Sequence, residues 1–199
     1  RAIAAQYPDA IVIGCSSGTM IDDVRLSDEN VSGLAIGFDK TRLQVAVQSL
    51  GDAAQSHAVG QALGEELRAD DLAGIFVLSD GLAVNGSTLV DGLRSALGDK
   101  VVISGGLAGD GARFQDTLVM VDAQATNGLV AAVGFYGSAV RFAHGTAGGW
   151  DEFGPIRKIT KSVGSVLYEL DGKPALDLYE TYLGEEAADQ RDRTPFSPR

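Results

Sequence analysis

A single cysteine, Cys15, in 199 residues leaves this chain no intrachain disulfide and no thiolate zinc cluster. Basic residues are scarce too: 16 Lys and Arg stand against 27 Asp and Glu, a net charge of −11. That deficit argues against nucleic acid and anionic membrane as partners, because both bind concentrated positive charge. No apolar run reaches the ~20 residues that a bilayer-spanning helix needs, and no signal peptide is expected. Histidine is limited to His57 and His144, so a metal site built on imidazoles would require both to converge, and none is expected. A chain of this length buries roughly 70% of the surface it exposes when unfolded, enough to fold without metal or cross-link. The expectation is an acidic, soluble, cytoplasmic domain.

Glycine is the one excess, 26 of 199 residues or about 13%, against a usual ~7%. The glycines cluster behind apolar runs, where they mark tight turns and close backbone approaches.

Apolar patterning divides the chain into short elements. Strands are expected over 10–15, 31–38, 42–50, 74–78, 101–104, 117–121, 128–136, 139–143, 156–162 and 166–170. The second and third form a hairpin across Asp39-Lys40. Leu43, Val45 and Val47 alternate with Gln44, Ala46 and Gln48, giving one apolar face and one half-polar face. Helical spacing predicts helices over 53–67, 85–97 and 174–183, with Gly60 and Gly64 weakening the first and Pro174 in the first turn of the last. The links between 117 and 143 are too short for parallel crossovers, so those strands are expected to be antiparallel neighbours. Residues 185–199 are polar, charged and proline-bearing, a linker or tail. The fold class is α+β: mixed, largely antiparallel sheets flanked by three or four helices, with residues 1–184 as one domain.

Several stretches carry possible chemistry. Gly14-Cys15-Ser16-Ser17-Gly18 follows a strand and matches the G-x-S-x-G pattern of a nucleophile elbow. The elbow requires a helix directly after the serine, and 19–30 is acidic and aperiodic. The same turn can instead offer hydroxyls and free amides to a ligand. Cys15 has no basic neighbour in sequence to lower its pKa and is expected half-buried and inert. Gly105 to Gly111 (GGLAGDG) does not have the dinucleotide-binding order, and Asp110 inside it repels phosphate. Its consecutive amides suit a nest, with Asp110 accepting bonds from its own loop or from a ligand amine. Ser79-Asp80-Gly81 ends another strand in the same manner. These strand ends fit one pocket for a small polar ligand or a set of ordinary turns, and both readings stay open. His144 lies six residues before Trp150, the only tryptophan, and suits a ligand hydrogen bond, a haem ligand or a structural role. His57 falls in a polar helical stretch and is expected to face solvent.

The sequence blocks GCSSGTMI, VSGLAI, FVLSDGLAVNGS, ISGGLAGDGARF, HGTAGGW and VLYELDGKPALDLYETYLG, in this order, resemble the N-terminal half of FIST sensory domains. The resemblance runs from about Ala2 to Gly184. It implies a cytoplasmic ligand-sensing module of prokaryotic, including bacterial, signal transduction, found alone or beside histidine kinases, cyclic-di-GMP enzymes and chemotaxis receptors. The ligands it implies are small molecules such as amino acids, and one branch binds haem and senses nitric oxide. Cys15, Ser16, Asp80, Gly106, Asp110, His144 and Trp150 match motif positions. The resemblance also implies a first strand before residue 1 and a C-terminal half beyond residue 199.

The resulting expectation is a sensory domain without catalysis, binding its ligand with Cys15, Ser16, Ser17, Asp80, Gly105, Gly106, Asp110, His144 and Trp150. It would signal through the C-terminal half and an output protein such as a histidine kinase or cyclic-di-GMP enzyme. The alternatives are a haem-based nitric-oxide sensor using His144 and a hydrolase using Ser16 or Cys15.

Overall fold

The computed structural model describes residues 5–28, 30–122, 124–143, 145, 148, 151–152, 154–164 and 166–184, with Asp22 and Leu183 described by their backbone. The chain divides into two compact units, Arg1–His144 and Gly145–Arg199. Among the described residues, three complete α-helices and four mostly antiparallel sheets make an α+β fold.

The first unit is built on a four-stranded sheet. Its strands are β4 (Arg42–Ser49), β5 (Leu72–Ser79), β6 (Val102–Leu107) and β9 (Leu129–Tyr136), in the order β4-β9-β5-β6. β9 runs antiparallel to β4 over eight consecutive pairs, from Arg42↔Tyr136 to Ser49↔Leu129, and antiparallel to β5 on its other side. β6 is parallel to β5, and helix α2 (Gly86–Leu97) supplies the crossover that parallel strands require. Asn85 starts this helix by accepting the Thr88 amide at 3.1 Å. The half-polar face of β4 proves to be the deeper one. Ala46, Ile75, Val77, Val130, Ala132 and Tyr136 all turn toward helix α1 (Ser56–Leu67) and α2, where Leu63, Leu67 and Leu93 are fully buried. The Tyr136 hydroxyl donates to the Leu67 carbonyl at 2.8 Å, and the Arg42 guanidinium lies 3.7 Å over its ring.

The opposite face is less completely covered. At one end a small sheet of β1 (Ile13–Cys15), β7 (Val119–Val121) and β8 (Gln124–Thr126) packs Val119 and Val121 against Leu78, Leu129 and Ala131. At the other end Phe38, Phe135 and Phe142 stack edge to face, with centroids 5.7 and 5.1 Å apart. Gly74 is the residue that leaves room for the Phe142 ring. Between these ends Val47 stays 38% exposed.

Several expected elements differ. Val31–Phe38 makes no ladder and is exposed throughout, so the hairpin across Asp39-Lys40 is absent. Residues 139–143 are not a strand either; Gly137 turns the chain out of β9 with φ 101. β6 does not stop at Ser104 but continues through Gly105 and Gly106 to Leu107. The acidic stretch after Gly18 forms a hairpin of β2 (Met20–Asp22) and β3 (Arg25–Ser27). β9 pairs with β4 and β5, while β7 finds its partners in β1 and β8.

The second unit holds an antiparallel sheet of β10 (Ile159–Val163), β11 (Val166–Leu170) and β12 (Lys173–Pro174), followed by α3 (Ala175–Leu183). Asp171 and Gly172 take φ 53 and 75, as a two-residue turn between antiparallel strands requires. Residues 185–199 lie outside the described residues. No helix among the described residues is long and apolar enough to cross a membrane.

Candidate functional site

Asp80 directly follows β5 and is 2% exposed. Its Oδ1 accepts the amides of Leu82 and Ala83 at 2.8 and 2.7 Å, bending the chain toward α2. Its Oδ2 accepts the Gly128 amide at 2.9 Å, tying this turn to the one that starts β9. Burial pushes the carboxyl up, but the three amides and the Thr117 hydroxyl outweigh it, leaving Asp80 below the usual carboxylate range. Thr117 Oγ1 in turn accepts the Gly81 amide at 3.1 Å.

Asp110 repeats the arrangement after β6. Its two carboxylate oxygens accept the amides of Phe114 at 3.1 Å, Gln115 at 2.8 Å and Asp116 at 3.0 Å. The Gln115 and Asp116 amides are the main reason its pKa falls. This grip draws the chain into a tight loop in which Phe114 takes the left-handed φ of 50, rare for an aromatic residue. Of the two partners open to Asp110 in the sequence reading, its own loop is the one observed.

Ser16 closes the end of β1. Its amide donates to the Leu118 carbonyl at 2.8 Å and its Oγ accepts the Leu118 amide at 2.9 Å, extending the pairing of β1 with β7. Ser17 Oγ donates to the Thr19 carbonyl at 2.8 Å. Cys15 is exposed as a residue, but its thiol is partly shielded from water, and this desolvation raises its pKa. A nucleophilic thiol needs the opposite shift. No helix follows Ser16, so the support a nucleophile elbow draws from a helix N-terminus is not formed there.

The glycine run is threaded between two strand ends. The Ala108 amide donates to the Ser79 carbonyl at 2.8 Å, and the Gly109 amide to the Ser16 carbonyl at 3.0 Å. Gly105 takes φ 150, and a Cβ there would collide with the Val77 carbonyl of β5, so it is a strand contact. Gly106 has open space around it. A Cβ on Gly18 would sit 3.3 Å from the Gly111 backbone, so these two loops meet glycine to glycine.

Cys15, Ser16, Ser17, Asp80, Gly105, Gly106 and Asp110 are thus brought to one end of the first unit. His144 and Trp150 lie outside the described residues, and no site is built on them. Beside Asp80 opens a cleft of about 360 Å³. Leu50, Ala83, Gln115, Asp116, Thr117 and Asn127 contribute to its walls. Asn127 Nδ2 donates to Asp116 Oδ1 at 3.4 Å. Sequence reasoning passed over Gln115, Asp116, Thr117 and Asn127; the only signal available was the Asn127-Gly128 turn pair, which marks a strand start. No cluster of three or more His, Cys, Asp or Glu side chains among the described residues is arranged to hold a metal ion.

The FIST N domain family profile matches residues 1–173. No curated protein and no solved structure matches the chain. The match spans most of the sequence, including both aspartate-held loops and the glycine run between them, and on it the chain belongs to the FIST family, a sensory domain of signal transduction.

Proposed function

We propose that this domain senses a small polar metabolite, amino-acid-like in chemistry, which occupies the cleft beside Asp80, and that it performs no catalysis. The observation that carries the reading is the cleft's construction. Asp80 and Asp110 spend their acceptors on backbone amides of the surrounding loops, so its walls are set before any ligand arrives. The exposed side chains of Gln115, Asp116 and Asn127 remain to meet a ligand. A carboxylate beside two carboxamides suits an ammonium group flanked by hydrogen-bonding oxygens. The cleft's volume falls within the ~300–1,000 Å³ usual for small-molecule sites. The engaged Ser16 hydroxyl and the raised Cys15 pKa favour binding over hydrolysis. On this reading the protein works in the cytoplasm, and its signal passes to a C-terminal FIST half and an output protein such as a histidine kinase or cyclic-di-GMP enzyme.

Calorimetric titration with amino acids and related metabolites tests it. Binding by at least one compound, weakened at least about tenfold in Asp116→Ala and Asn127→Ala and unchanged in the turn variant Asp99→Ala, is expected. Heat-silent titrations across the whole panel would sink the proposal. Binding indifferent to both cleft substitutions would place the ligand elsewhere.

A further inference from the structure

Two unsatisfied features lie next to one another in the sequence. β4 is an edge strand, fully paired with β9 on one side, and among the described residues no strand pairs with its other side. Beyond Arg42 at its first position it carries no charged residue and no proline, the usual guards of an open edge. Directly before it, Val31–Phe38 is eight residues long like β4 and makes no ladder. Val31, Leu34 and Ile36 are 94, 85 and 60% exposed, which is costly for side chains of this type.

We propose that Val31–Phe38 is a strap that docks antiparallel on the β4 edge as a fifth strand, closing at Asp39-Lys40. A turn of two residues at Asp39-Lys40, or of four over 38–41, sets one register: Ile36 opposite Leu43, Ala35 opposite Gln44, Leu34 opposite Val45 and Gly33 opposite Ala46. Residues directly opposite in a ladder share a face. Leu34 and Ile36 therefore extend the incompletely covered face of Leu43, Val45 and Val47, while Gly33, Ala35 and Gly37 fall on the side of the helices, where Ala46 is fully buried. A shift by one residue reverses this and sets glycine against the apolar row. Phe38 already obeys the proposed register, because its ring stacks on Phe135, which pairs with Leu43 and shares its face. The short tether makes the chain's own segment a stronger competitor for the edge than a second copy at ordinary concentration.

Cysteine pairs in a Cys15→Ser background read the register. Ala35→Cys with Gln44→Cys is expected to form an intrachain disulfide under mild oxidation, since directly opposed Cβ atoms lie within bridging reach. Ala35→Cys with Val45→Cys is expected to remain reduced. Equal oxidation of both pairs would overturn the register, and disulfide-linked dimers would assign the edge to a second copy. Reduced thiols in both pairs would overturn the docking itself. Hydrogen exchange on the unmodified chain gives an independent reading. Docking slows the Leu34 and Ile36 amides at least about tenfold relative to an unstructured peptide; exchange at the unstructured rate would count as refutation.

Discussion

The Asp80 carboxylate accepts the Gly128 amide at 2.9 Å across 48 residues of sequence. That bond joins the end of β5 to the start of β9, while the same side chain holds Leu82 and Ala83 ahead of α2. Just past the last pair of the β5–β9 ladder, Ser79↔Val130, the Asp80 side chain therefore ties the turn before α2 to the start of β9. Removing the carboxylate leaves part-buried amides without an acceptor, and each such orphan costs about 1–3 kcal/mol. Asp80→Ala is expected to lower stability by about 3 kcal/mol, read as a lower urea midpoint with an unchanged slope. Asp80→Asn keeps one acceptor oxygen, and its loss is expected to be roughly half as large. An Asp80→Ala midpoint equal to that of the parent would show that these bonds are replaced by water at no cost.

Asp80 and Asp110 both titrate below the usual carboxylate range when folded, because loop amides favour the charged form. A carboxyl depressed in the folded state contributes stability that is fully present above its unfolded pKa of about 3.9. The contribution is lost as pH falls through the folded value, when the native state must take up protons that the unfolded state already carries. Stability is therefore expected to hold from neutrality down to about pH 5 and to decline below about pH 4. In Asp80→Asn with Asp110→Asn the decline over that acid window is expected to be shallower, while stability near neutrality is already lower. Urea midpoints measured at steps between pH 3 and 7 check this. Parallel curves for the two proteins would remove these carboxylates as the source of acid sensitivity.

The elements most legible in the sequence were those with long, regular apolar patterns. The run around Ile75 and Val77, the 3.6-residue stripe of Leu89 and Leu93, and the run through Val130 and Val133 each became a strand or helix close to the expected bounds. Asp80 and Asp110 stand out as acids at strand ends, and the bonds of Asp110 to its own loop are among the readings open in the sequence, but the Gly128 amide reaches Asp80 only through strand order, which local pattern does not encode. In the small sheet, β1 and β7 fall inside the expected runs 10–15 and 117–121, whereas β8 has no expected counterpart because a polar strand of three residues carries no period. At β4 the alternation was legible and the depth of each face was not. The burial of Ala46 comes from helices contributed by residues 56–97, so small size near a close approach mattered more than hydropathy.

Gly60 and Gly64 weaken the expectation of a helix over 53–67, yet they are what lets the observed helix Ser56–Leu67 pack. A Cβ on Gly60 would strike the Leu89 carbonyl of α2, and one on Gly64 would lie 2.7 Å from the Ala96 Cβ. Gly92 answers from the other helix, where a Cβ would strike the His57 carbonyl. The two backbones therefore approach through glycine on both sides, and the helix propensity lost at each, about 1 kcal/mol against alanine, is offset by the packing it allows. Gly60→Ala and Gly92→Ala are expected to destabilise the domain by about 1–3 kcal/mol each, the usual range for an overfilled core. They share one contact, so the double variant is expected to cost less than the sum. Gly86→Ala, at the half-buried start of α2 with Leu107 at an ordinary 3.7 Å, is expected to be neutral or slightly stabilising. Thermal and urea unfolding of the four variants beside the parent check the set. A stabilised Gly60→Ala would mean that the helices slide apart at little cost and that propensity, not close approach, governs this position.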